Sequence, residues 1–151
     1  MTFNPEEDGV THINIYSKGK TELGRWMSNW AYSPFYHPIH GSFDSIEGFW
    51  YWLGTQNDLL RTVHGYRAKE IGQAVDRTLV WEKKNFEKEV LYALKLKVEA
   101  NPKMEDALRD SHLYLTHYYD YNGRIIELPQ FEWITQWWRD RRARLKGDPV
   151  Y

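Results

Sequence analysis

The chain predicts a mainly helical α+β fold in a single domain, and three observations carry that expectation. Its 151 residues suffice for one domain with a sizeable core. The patterns run strand, loop, several helices, hairpin, helix, without the βαβ alternation of a dinucleotide-binding sheet. Aromatic residues reach 17%, which argues for a folded interior filled with large planar side chains.

Residues 1–11 are polar and acidic, read as a loose leader, and do not form a signal peptide. "HINIYS" (12–17) alternates and reads as a strand. "KGKTELGRW" is a loop with a short helical turn. "MSNWAYSPFYHPIHGSF", with two prolines, reads as irregular packed backbone with a short strand at its start. A helix is expected from Asp44 or Ser45 to Gln56. It is apolar on every side (Ile46, Phe49, Trp50, Tyr51, Trp52, Leu53), as a central buried helix is. "GYRAKEIGQAVD" (65–76) is a second helix. Asn85 is the expected N-cap of a long helix ending near Ala100, with "NP" as its stop. "KMEDALRDS" is a short helix. "LYLTHYYDYNGRIIEL" is a hairpin turning on Asn122-Gly123. Phe131 to Lys146 is the last helix, with Phe131, Ile134, Trp138 and Leu145 on one side.

Charge is nearly balanced, at −1, so no global field points to nucleic acid or membrane. The absence of cysteine excludes disulfides, thiol nucleophiles and Cys-based zinc sites. No apolar run approaches the roughly 20 residues of a membrane helix, and a cytoplasmic protein is expected. GxGxxG, P-loop, serine-elbow and HExxH motifs are absent.

Four places carry candidate chemistry. Glu47 is the one acid in "GSFDSIEGFWYWLGTQ". With Asp44 as N-cap, "DSIE" forms a capping box; flanked by Phe49, Trp50, Tyr51 and Trp52, the carboxyl is also open to desolvation, which lifts it toward general acid-base use. Lys97 falls inside the apolar stripe of Phe86, Val90, Ala93 and Leu94, while Lys95 points away. Such a lysine either snorkels to a rim or is a buried cation that binds phosphate, pairs with Glu47 or acts as an amine nucleophile. In "YSKGKTELGRWMSN", Lys18, Lys20 and Arg25 suit a phosphate, Gly19 and Gly24 allow close backbone approach, and Asn29 suits a sugar hydroxyl or base amide. In "THYYDY", His117 and Tyr119 share one strand face, as core or as the wall of a cleft. "HPIH" (His37, His40) has no third ligand in view and fits no common metal site. The basic "RDRRARLK" suits a helix C-terminus and reads as a solvated face, with a phosphate or RNA contact as the lesser alternative.

Taken in order, "INIYSKGKTELGRWMSNWAYSPF", "FDSIEGFWYWL", "GYRAKEIGQ", "LKLKVEANPKMEDAL", "LTHYYDYNGRII" and "FEWITQWWRDRRARL" resemble the NADAR, or YbiA-like, superfamily in its compact bacteriophage form. The resemblance spans nearly the whole chain. It implies an α+β, mainly helical fold over residues 1–151 and N-glycosidase activity, as on phosphorylated riboflavin-pathway intermediates or ADP-ribose derivatives. By motif, Glu47 matches the active-site glutamate, Asn29 the "SN" asparagine and Lys97 the lysine before "NP". Tyr51 and Trp52 lie on the same helix as Glu47 and are expected to wall the cleft. A late "WG" segment common in the family is missing, with "THYYDY" near its place.

The implied reaction is hydrolysis of a ribosyl C1′–N bond with Glu47 as acid/base or electrostatic residue. Lys97, Lys18 or Arg25 would hold phosphate, and no cofactor is required. A catalytically silent protein binding a nucleotide or host protein on the same fold is the alternative.

Overall fold

The computed structural model describes residues 3–148. Along them run β1 (His12–Asn14), α1 (Glu22–Met27), β2 (Phe35–His37), β3 (Gly41–Phe43), α2 (Ile46–Thr55), α3 (Gly65–Ala74), α4 (Lys83–Glu99), α5 (Pro102–Asp110), β4 (Tyr114–Thr116), β5 (Tyr118–Tyr121), β6 (Arg124–Glu127) and α6 (Glu132–Leu145). This is the mainly helical α+β fold expected. Its strands form two-stranded ladders: β1 with β4 in parallel, β2 with β3 and β5 with β6 antiparallel. The chain divides into two compact units, residues 1–28 with 103–151, and residues 29–102.

In the first unit the described part of the leader is tied down rather than loose. The Asn4 side chain caps a 3-10 turn at Pro5–Glu7. Asp8 is buried, and its carboxylate accepts from the N–H of Asn14 (3.0 Å) and of Lys20 (2.8 Å). Two backbone donors answered by one charged acceptor fasten the leader to β1 and to the following loop. The Asn14 amide extends the β1–β4 ladder by exchanging bonds with the backbone N–H and C=O of Tyr118. The β5–β6 hairpin turns on Asn122 (φ 54°) and Gly123 (φ 91°), both left-handed as the "NG" pair predicts. On α6, Ile134, Thr135 and Trp138 are buried. Arg139 and Arg142 donate to the carbonyls of Leu115 and Leu113, so two of the basic residues read as a solvated face instead hold the β4 segment.

The second unit is built around α2. Ser45 is its N-cap, not Asp44: the Ser45 hydroxyl accepts from Gly48 N–H (3.0 Å) and donates to the Val63 carbonyl (2.9 Å). Glu47 is therefore the second helical residue, and the expected capping box does not form. Ile46, Phe49 and Leu53 are wholly buried, each contributing ~1.5–3 kcal/mol. Two glycines let neighbours close on the helix. A Cβ on Gly48 would stand 2.3 Å from the Leu60 carbonyl oxygen, and one on Gly72 of α3 would stand 2.1 Å from the Tyr51 ring.

Helix α4 starts at Lys83, two residues before the expected Asn85 cap, and has no side-chain cap bond. Its buried residues are Val90, Ala93, Leu94, Lys97 and Val98; of the predicted stripe Phe86 is only partly buried, and Val98 joins the rest. The stretch expected to be irregular with a strand at its start instead ends in the β2–β3 hairpin, where Phe35 faces Phe43.

Substituting Gly72→Ala should lower stability by about 1–3 kcal/mol, because the Tyr51 ring must leave its seat. Gly48→Ala should cost at least as much, since its obstacle is backbone. Urea denaturation checks both, and a neutral result would remove the close approach as a determinant of the fold.

Candidate functional site

The Glu47 side chain sits on the first turn of α2, in the unit of residues 29–102. Its backbone N–H donates to the Asn29 carbonyl at 2.9 Å, so the "SN" asparagine and the glutamate are joined directly. Glu47 is only partly exposed. Desolvation raises its carboxyl from 4.5 to about 7, against the opposing field of Lys69. Lys69 comes from α3, and its ammonium lies 5.9 Å from the centre of the Trp30 ring. Trp30 in turn meets Tyr66 edge-on.

Tyr51, one turn on from Glu47, belongs to the same neighbourhood. Burial raises its phenol, the Glu47 charge raises it further, and a bond from Gln73 with the field of Arg77 lowers it. These groups form a half-enclosed acid with one cation, a phenol and an indole nearby. That combination can move a proton near neutral pH.

Lys97 does not snorkel. It is wholly buried, and desolvation lowers its amine from 10.5 to about 7. The sequence reading of an inward lysine therefore holds, while a rim position does not. Full enclosure also removes the phosphate-holding role assigned to it. Lys95 points out and pairs with Glu99.

Trp52 departs from its expected position beside the carboxyl. At 100° per residue it points about 140° from Glu47. It is buried among Phe43, Phe49 and His40, donates its indole N–H to Asp58 (3.1 Å), and lies under the Arg61 guanidinium. Trp52 is core, and it is not a wall for Glu47.

The remaining candidates belong to the unit of residues 1–28 with 103–151. Lys18 is exposed. Arg25 donates to the Gly19 carbonyl (2.8 Å), tying its guanidinium to the loop. Gly19 is needed for packing, since a Cβ there would stand 2.9 Å from the Asn14 carbonyl oxygen. His117 donates Nδ1–H to the Ile15 carbonyl, and burial lowers its pKa. Its ring meets Tyr119 edge-on at 5.6 Å, so the two share a face as expected.

Sequence reasoning missed Lys69 and Trp30. A signal was present: Lys69 lies in "GYRAKEIGQ", beside Ala68 and Gly72, the two buried residues of α3. No family model matches the chain, and no curated protein or solved structure matches it. Among the described residues, no helix is long and apolar enough to cross a membrane.

Two opposed titrations give a stability prediction. Glu47 binds its proton more tightly folded than unfolded. Its contribution is complete below 4.5 and is lost as pH rises through about 7. Lys97 does the reverse: its contribution is complete above 10.5 and is lost as pH falls through about 7. Both penalties coincide near neutrality. Glu47→Gln should stabilise the protein by up to about 3 kcal/mol above neutrality and have little effect in acid. Lys97→Met should stabilise it most at and below neutrality. Denaturation over a pH series checks both, and pH-independent differences would refute the assignment.

Proposed function

We propose that the chain is an N-glycosidase of the NADAR type. It hydrolyses the C1′–N bond of a phosphorylated nucleoside-type or ADP-ribose-linked substrate. The observation that carries this reading is Glu47, a partly exposed carboxyl lifted to about 7 on the first turn of an apolar helix, with Lys69 close enough to act on its charge. Perturbed carboxyls of this kind cluster at reactive sites.

In the proposed reaction Glu47 is ionised. It accepts a proton from a water molecule as the water oxygen bonds to C1′. The C1′–N bond breaks with its electron pair going to the base nitrogen, which then takes up a proton. The transition state carries oxocarbenium character, which a nearby carboxylate stabilises. Tyr51 and Trp30 offer rings for the base, and Lys69 offers a cation for phosphate or for the leaving nitrogen. An attack on C1′ by the Lys97 amine, the less favoured variant, is set aside because that amine is wholly enclosed.

The test is release of free base from phosphoribosyl-pyrimidines, NAD and ADP-ribosylated guanosine. Wild type should turn over at least one. Glu47→Gln should lose roughly 100-fold or more in turnover with its fold intact. Unchanged turnover in that variant removes Glu47 from the chemistry. Binding without release by wild type favours the silent nucleotide-binding alternative.

A further inference from the structure

The β2–β3 turn and α4 bring together three potential ligands that the sequence separates. His37 ends β2, His40 lies in the turn before β3, and Glu89 comes from α4. His40 Nε2 is 3.2 Å and His37 Nε2 is 3.9 Å from the same Glu89 carboxylate oxygen. One potential ligand atom from each residue lies within 4.8 Å of the other two. The histidine rings stand 4.4 Å apart, centre to centre. All three residues belong to the unit of residues 29–102.

His37 supplies an independent observation. Its side chain is 2% exposed, and Nε2 has no hydrogen-bond partner among the described residues. Nδ1 faces two donors, the backbone N–H groups of Ile39 (3.0 Å) and His40 (3.1 Å). A nitrogen that accepts twice carries no proton, so the neutral ring holds its proton on the buried Nε2. Nε2 is thus a buried polar atom left unsatisfied, 3.9 Å from the carboxylate and beyond hydrogen-bond length, and it becomes a ligand only once its proton has moved.

We propose that His37, His40 and Glu89 bind one divalent transition-metal ion, zinc being the best match, and clip the β2–β3 turn to α4. Two imidazoles and one carboxylate form a three-ligand zinc set that leaves a fourth position for water. Metal–ligand bonds of about 2.0–2.2 Å put tetrahedral ligands roughly 3.4 Å apart. The two separations from Glu89 bracket that value. Phe49, Trp52 and Tyr92 surround the histidines and restrict water.

One rearrangement accompanies binding. Ligation through His37 Nε2 moves the ring proton to Nδ1, which then repels the two backbone donors. The backbone N–H groups of Ile39 and His40 must then turn away from Nδ1, so the turn shifts on binding. Arg61, which donates to the His40 carbonyl and pairs with Asp58, is the nearby cation, and its charge is already balanced. The pair "HPIH" lacked a third ligand because Glu89 lies 49 residues beyond His40.

The experiment titrates zinc into untagged, chelator-stripped, full-length protein by calorimetry, with thermal melting alongside. One equivalent should bind and raise the melting temperature, and magnesium should do neither. Cobalt(II) should give the intense visible absorption of a four-coordinate site. His40→Ala and Glu89→Gln change half-exposed positions. Each should weaken zinc binding by roughly tenfold or more while keeping the circular dichroism and zinc-free melting of wild type. Absence of stoichiometric binding, or equal affinity in both variants, overturns the proposal. If either variant melts differently without zinc, His40→Gln provides the comparison, and equal zinc affinity there overturns the proposal as well. Glu47→Gln should bind zinc normally, which separates this site from the proposed glycosidase chemistry.

Discussion

Apart from Glu47, helix α2 has no polar face to give to water, so nearly all of it has to be covered. The rest of the unit of residues 29–102 is arranged to do this. The β2–β3 hairpin contributes Phe35, Phe43 and His37 to one side. The segment after α2 brings the Leu60 carbonyl against Gly48, and α3 brings Gly72 against Tyr51. Helix α4 packs on another side. Small residues stand where backbone or ring must come closest, and large ones fill the remaining space. Close packing of this kind leaves little tolerance for added volume.

That enclosure also creates the electrostatics. The first turn of α2 carries Glu47, and the inward stripe of α4 carries Lys97. The burial that satisfies the apolar helices makes both charges expensive. Each group responds by shifting toward its neutral form, one upward and one downward, to about 7. A fold selected only for stability would replace both with apolar residues. Both positions penalise the native state near neutrality.

Much of the architecture was legible from pattern. The apolar run after Ser45 marked the central helix, the stripe of α4 placed Lys97 inside, and Asn122-Gly123 marked the β5–β6 turn. The local signals that failed were those where two residues compete for one role. Asp44 and Ser45 both suit a cap; Ser45 prevails because its hydroxyl can also donate to Val63, a bond that a carboxylate cannot make. Asn85 had the chemistry of a cap, yet α4 begins earlier, at Lys83. The leader looked loose because its anchor is one carboxylate, Asp8, answered by backbone donors that no sequence pattern displays.

Sequence by itself determined the helical segments and the β5–β6 turn, though not the β2–β3 hairpin; it also determined that α2 is buried, and that Glu47 and Lys97 are the charges set against apolar surroundings. Periodicity and turn chemistry are local, and they suffice for that. Tertiary structure alone decided the company these residues keep. It set Asn29 and Lys69 by Glu47, turned Trp52 into the core, and brought Glu89 to the histidines of the β2–β3 turn. Contacts between residues tens of positions apart depend on how helices and hairpins pack, and packing is resolved by the fit of whole surfaces that no single stretch of sequence contains.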